Sequence, residues 1–143
     1  HQRLRHDVVL RRLDVLRVNT ESGSIHVTAG PAGTVHIVGH LHASGVAYGQ
    51  PAAERVRRVL DHLPIRQDGE RITILAHLKG ASHVVIDYDI TTPPGTELEA
   101  TTGSGNLRLA GLGGPVKALT DAGNIEASKI TAPRRPGNVD WLG

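Results

Sequence analysis

The chain has 143 residues, with 16 Lys and Arg against 14 Asp and Glu, nine His, no Cys, one Trp, two Tyr and no Phe. That length suits one domain, the lack of Cys excludes disulfides and thiolate metal sites, and a net charge of +2 with so few aromatics argues against a nucleic-acid surface. No apolar run reaches the ~20 residues of a membrane helix, so membrane association is expected only through a segment outside this chain.

The chain begins at His1 rather than Met, which reads as a piece of a longer protein with a signal or anchor upstream. Residues 1–11, rich in Arg, are expected to be a flexible end. Arg12 to Val18, "RLDVLRV", reads as a strand. "SGSIHVTAG" (Ser22 to Gly30) puts Ile25 and Val27 on one face, and "GTVHIVGHLHA" (Gly33 to Ala43) does the same with Val35, Ile37 and Leu41. The turn formers "AGPAG" between them predict a hairpin.

In that hairpin His26 and His36 would face each other, with His40 and His42 sharing the parity of His36. Such a patch could take zinc, copper or nickel, which suit imidazole. The plainer reading is outward strand positions that happen to be His, and it is preferred because the sequence fixes no carboxylate or Cys nearby. No metal site is assigned.

"PAAERVRRVLDHL" (51–63) is the one helix candidate, with Pro51 in its first turn and Val56, Val59, Leu60 and Leu63 as an apolar stripe; Pro64 ends it. "ERITILAHL" (Glu70 to Leu78) and "SHVVIDYDI" (Ser82 to Ile90) are strands. On the second, His83, Asp87 and Asp89 share a face opposite Tyr88. Alternate residues of one strand line up rather than converge, so this is read as a solvated polar face, not a metal set.

Residues 95–143 read as regular repeats. Thr96, Gly105, Gly114 and Gly123 fall nine residues apart, heading the units "TELEA", "GNLRL", "GPVKA" and "GNIEA". Each unit sets a polar residue between two inward apolar ones, a short strand followed by a tight turn, as in a β-solenoid. Two nine-residue arms per 18-residue coil would stack Glu99 beside Lys117 and Arg108 beside Glu126, both of opposite charge. A nine-residue coil would instead set Arg108 beside Lys117. Gly supplies the unusual backbone and close approach at corners, and Asn106 and Asn124 can bond neighbouring backbone there. "PGNVDW" (Pro136 to Trp141) reads as the start of a further coil.

Catalytic and metal signatures are missing. The repeats lack the Asp of the calcium-binding nonapeptide roll. The chain has no Gly-x-Ser-x-Gly elbow, phosphate loop with Lys, or His-Glu-x-x-His. No catalytic residue, cofactor or ligand-binding residue is assigned.

"LRVNTESGSIHVTAGPAGTVHIVG" (Leu16 to Gly39) and "DYDITTPPGTELEATTGSGNLRLAGLGGPVKALTDAGNIEA" (Asp87 to Ala127) together resemble the bacterial putative-adhesin domain family of unknown function. Shared features are a Ser-Gly-x-Ile-x-Val opening, a later Pro-x-Gly-x-x-Leu run and Gly-Asn-aliphatic coils. The resemblance implies a β-solenoid-like fold in an envelope or exported bacterial protein, and brings no catalytic residues.

The sequence therefore predicts one all-β domain over 1–143, a parallel β-solenoid or β-helix-like stack with coils of about 18 residues and one short helical insertion. Its core would include Ile25, Val27, Val35, Ile37, Ile72, Ile74, Leu98, Leu107, Leu109, Val116 and Ile125. The expected function is a non-enzymatic, adhesin-like structural or interaction domain, with an unnamed protein or surface as partner. A carbohydrate- or metal-binding module and a carbohydrate-active β-helix enzyme are the alternatives.

Overall fold

A computed structural model describes residues 2–10, 12–47, 49–76, 84–130 and 141–142. Alternating apolar and polar residues govern most of it. The first half forms β1 (Gln2–Val9), β2 (Val15–Ser22), β3 (Ile25–Ala29), β4 (Thr34–His42), the two-residue strands β5 (Val46–Ala47) and β6 (Gln50–Pro51), and helix α1 (Ala52–Asp61). The second half forms β7 (Ile65–Asp68), β8 (Arg71–Ile74), β9 (Val85–Thr92), β10 (Glu97–Ser104), β11 (Leu107–Ala110), β12 (Val116–Ala122), β13 (Ile125–Ser128) and β14 (Trp141–Leu142).

The long strands build two six-stranded sheets. Sheet A runs β1-β4-β9-β3-β11-β13 and sheet B runs β14-β12-β10-β2-β8-β7, while β5 and β6 pair as a small ribbon. Within sheet A, β9, β3, β11 and β13 are mutually parallel, as are β8, β2, β10 and β12 within sheet B. The remaining pairings, β1 with β4, β4 with β9, β7 with β8 and β12 with β14, are antiparallel. The protein is thus all-β with one short helix, but its sheets are mixed, which corrects the expected all-parallel solenoid. The physical reason is edge protection. A parallel stack presents rows of unpaired N–H and C=O groups, and here antiparallel strands cover β9, β8 and β12.

Three segments pass from sheet B to sheet A at a glycine: β2 to β3 at Gly23, β10 to β11 at Gly105, and β12 to β13 at Gly123. The arms after Thr96 pair in the expected register, Leu98 with Val116 and Leu107 with Ile125. The stacking order differs from the chain order. The β2/β3 arm lies between β8/β9 and β10/β11. The predicted hairpin of β3 with β4 does not form, because β9 sits between them and pairs with both.

The core fills the space between the sheets. Ile72, Leu16, Leu98 and Val116 stand side by side under sheet B, and Tyr88, Ile25 and Leu107 do so under sheet A. Each such side chain contributes at most about 1.5–3 kcal/mol on burial. Of the expected core residues, all are buried except Ile125, half-buried on the last strand of sheet A.

Two corrections concern the chain ends. The expected flexible end over 1–11 instead contributes β1, registered against β4 from Gln2↔Leu41 to Val9↔Thr34. Leu4 is buried there, lying where a Cβ on Gly39 would stand 2.9 Å from its Cγ. At the other end, Trp141 and Leu142 pair antiparallel with β12 rather than forming the parallel arm the repeats predict; the rest of "PGNVDW" lies outside the described residues.

The helix is shorter than 51–63, with Pro51 as its N-cap and His62 as its C-cap. Val56 and Val59 enter the core, and Leu60 and Leu63 pack against it. Arg55 is also buried, against its polar nature. Its guanidinium donates to the backbone carbonyls of Ser44 at 2.8 Å, Gln50 at 2.8 Å and Gly45 at 3.1 Å, so it ties the helix to the β5–β6 ribbon.

Candidate functional site

With inward positions occupied by the core, chemistry falls to the outward positions. On sheet A these form a grid. One row runs Arg5, Val38, Asp89, His26, Arg108 and Glu126 across all six strands. A second begins Arg3, His40, Asp87, and a third Asp7, His36, Thr91, Thr28. His42 continues the outward side of β4 beside Val85.

The four histidines therefore share one face, but not in the predicted arrangement. His26 and His36 do not face each other, since β9 separates their strands. The sequence also placed no carboxylate near them, and the fold does. His36 Nδ1 lies 2.8 Å from Asp7 Oδ1, His42 Nε2 lies 3.2 Å from Asp87 Oδ2, and His26 Nδ1 lies 3.6 Å from Asp89 Oδ1. Asp7 comes from the terminal strand and the other two from β9. The one available signal was the parity of "RLRHDVV", which turns Leu4 inward and Asp7 outward.

Asp7 also accepts from Arg5 Nε at 2.9 Å. The His36 hydrogen bond, with Arg5 second, holds the Asp7 carboxyl below its ordinary value of 3.8. Asp87 and Asp89 line up along β9, as expected; His83 lies outside the described residues. A carboxylate thus lies beside each of His26, His36 and His42, and among the described residues no three His, Asp or Glu side chains gather into a set able to hold a metal ion.

The corners form a second ordered feature. Gly23, Gly105 and Gly123 stack so that a Cβ on Gly105 would overlap the carbonyl of Gly23, and one on Gly123 that of Gly105. Beside them the Asp87 carboxylate accepts from the Ser24 backbone N–H at 2.8 Å, and the Asn106 side chain accepts from the Asn124 N–H at 3.0 Å, 18 residues on. Thr102 and Thr120 donate to the Gly23 and Gly105 carbonyls, each at 3.0 Å. This column satisfies backbone groups at the turn, so Asn106 is a structural residue.

Sheet B carries a different outer face. Glu99 lies between Arg17, which donates to it, and Lys117, whose Nζ is 3.8 Å away. On sheet A, Arg108 and Glu126 make the other expected cross-arm pair at 3.4 Å. Both charge pairs that favoured an 18-residue coil are present. Inside the core the Tyr88 hydroxyl has no hydrogen-bond partner among the described residues, and burial pushes its phenol pKa up.

No family model matches the chain, and no curated protein gives a significant sequence match. Among solved structures it is similar to a putative cell adhesion protein from Clostridium sporogenes ATCC 15579, with 7% identity and a TM-score of 0.39 over 89% of this chain. The chain spans 59% of that protein's length. No helix among the described residues is long and apolar enough to cross a membrane.

Proposed function

We propose that this is a non-enzymatic, adhesin-like interaction domain working at the bacterial envelope or outside the cell. The observation that carries the reading is the outer face of sheet A. It is an exposed array of charged and imidazole side chains across six strands, backed by a filled core. The resemblance of its Ser-Gly-x-Ile-x-Val and Gly-Asn-aliphatic motifs to the adhesin family points the same way.

A carbohydrate-active β-helix enzyme is disfavoured, because its acids would need to converge on a bound sugar. Here Asp7, Asp87, Asp89, Glu99 and Glu126 each lie beside a cation or imidazole on an outward strand position. A metal module would need several ligands to converge, and among the described residues no three His, Asp or Glu side chains do so.

The test is attachment. Beads coated with the domain, and bare beads, are driven in shear flow over bacterial and animal cell surfaces. Coated beads are expected to be retained in excess on at least one surface. Equal retention on every surface overturns the reading.

A further inference from the structure

We infer that the outer face of sheet A is a docking surface for an anionic polysaccharide, engaged at mildly acidic pH and released near neutrality. The inference deepens the adhesive reading and rests on it, naming the partner's chemistry and the condition for binding.

The argument is a charge count on a fixed surface. Among the described residues, to which the count is confined, the face holds three permanent cations, Arg3 and Arg5 from β1 and Arg108 from β11. It holds four carboxylates, Asp7 from β1, Asp87 and Asp89 from β9, and Glu126 from β13. It holds four imidazoles, His36, His40 and His42 from β4 and His26 from β3. With neutral imidazoles the face has a net charge of −1, and with all four protonated it has +3. Imidazole is the side chain whose ordinary titration lies between pH 5 and 8, and protonating these four would reverse the sign of the face. The carboxylates of a uronate polymer, or the sulfates of a sulfated one, stay ionised across it.

Geometry makes these charges act together. Strands about 4.8 Å apart place β4 and β11 only about 15 Å from one another. Only charges on adjacent strands lie within the screening length of about 8–10 Å at ordinary ionic strength, so β4 and β11 act together by touching one extended polymer at several points. The side chains are accessible to a ligand, since His26, His36 and His42 are each about two-fifths exposed and Arg108 and Arg5 more than half. A polymer with regularly spaced anions matches a multi-point surface of this kind.

Other polyanions fit less well. The described residues of the face offer no Phe, Tyr or Trp ring for a nucleobase to stack on, which single-stranded nucleic acids generally use. Its aliphatics, Val9, Val38 and Val85, are scattered over three strands rather than gathered into a stripe that could enter a lipid surface.

The test measures binding of the full chain to polygalacturonate, at fixed ionic strength, at about pH 5 and about pH 7.5. We expect affinity at least about tenfold higher at the acidic pH. The fourfold variant His26→Gln, His36→Gln, His40→Gln and His42→Gln is expected to bind weakly and equally at both values. His62→Gln, on the helix cap, is expected to keep the full response. Should the fourfold variant fail to fold, the double variant His40→Gln, His42→Gln must lower acidic binding several-fold. Four results overturn the inference: pH-independent binding, a pH response that survives loss of the four histidines, loss of the response in His62→Gln, or tighter acidic binding to anionic lipid vesicles or a single-stranded oligonucleotide than to polygalacturonate. If coated beads still adhere to cells after such a result, the adhesive reading stands and only the pH-dependent capture of an anionic polysaccharide is excluded.

Discussion

The two outer faces of the molecule stand on one backbone device and carry different chemistry. On sheet B, Arg17, Glu99 and Lys117 follow one another on adjacent strands, a row of Arg, Glu and Lys without imidazole. On sheet A the same kind of position holds His26 beside Asp89, His36 beside Asp7 and His42 beside Asp87. Inward positions and corners are constrained by packing, and the solvent-facing ones are not. The scaffold is shared, then, and the specialisation of sheet A lies in outward residues that the packing of the core does not fix.

If the scaffold is shared, damage beneath either face should be equally severe. Leu16→Asp under sheet B and Leu107→Asp under sheet A each place a charge in the core, and each should cost more than about 4 kcal/mol. Denaturant titration reads both, and a mild loss in only one would mean that the sheets do not depend on a common core. The corner column serves both faces and comes next in size. Gly105→Ala forces a methyl onto the Gly23 carbonyl and should cost about 2–4 kcal/mol. Gly69→Ala, at a turn of positive φ with open space around it, should cost only about 1 kcal/mol. Equal losses would show that the stacked corner tolerates a side chain.

Smaller effects separate the faces. Arg17→Gln and Arg108→Gln each break a cross-arm pair, worth no more than about 1 kcal/mol. Arg17 should matter more, because Glu99 is 24% exposed and Glu126 69%. A larger effect at Arg108 would reverse that ranking. The smallest effect is confined to sheet A. Asp7 titrates lower in the fold than its ordinary 3.8, so its contribution exists above that value and is lost as pH falls through the lower folded value. Asp7→Asn should lower the urea midpoint near neutrality, with the gap to wild type closing at the acid end. A gap that stays constant with pH would mean that the loss is not electrostatic.

The sequence carries the local half of this structure openly. Alternation marks the inward residues of β3, β4, β8, β10, β11 and β12, and the charge pattern selects the 18-residue offset of Glu99 with Lys117 and Arg108 with Glu126. The non-local half leaves no periodic trace. Nothing in "SIHVTAG" says that Asp89, rather than a residue of the next strand, will lie beside His26. The Arg-rich start hid the Leu4–His6–Val8 alternation of β1. Nothing in "PAAERVRRVL" sets Arg55 apart from Arg57 and Arg58, because its partners are three backbone carbonyls and carbonyls have no sequence signature. The candidate face was visible only as a list of histidines, and the acids that give it meaning come from strands distant in the chain.

The out-of-order stacking has a consequence for how the chain is made. The segment β2–β3 emerges early during synthesis, yet its neighbours on both sides, β8–β9 and β10–β11, are translated later; Arg17 waits 82 residues for Glu99. Until then its two apolar faces have only partial cover, and contacts closed over such separations form slowly. Once the later strands arrive, β2 and β3 lie in the interior of their sheets. The finished protein should therefore open as one cooperative unit rather than peel strand by strand from its first-made end.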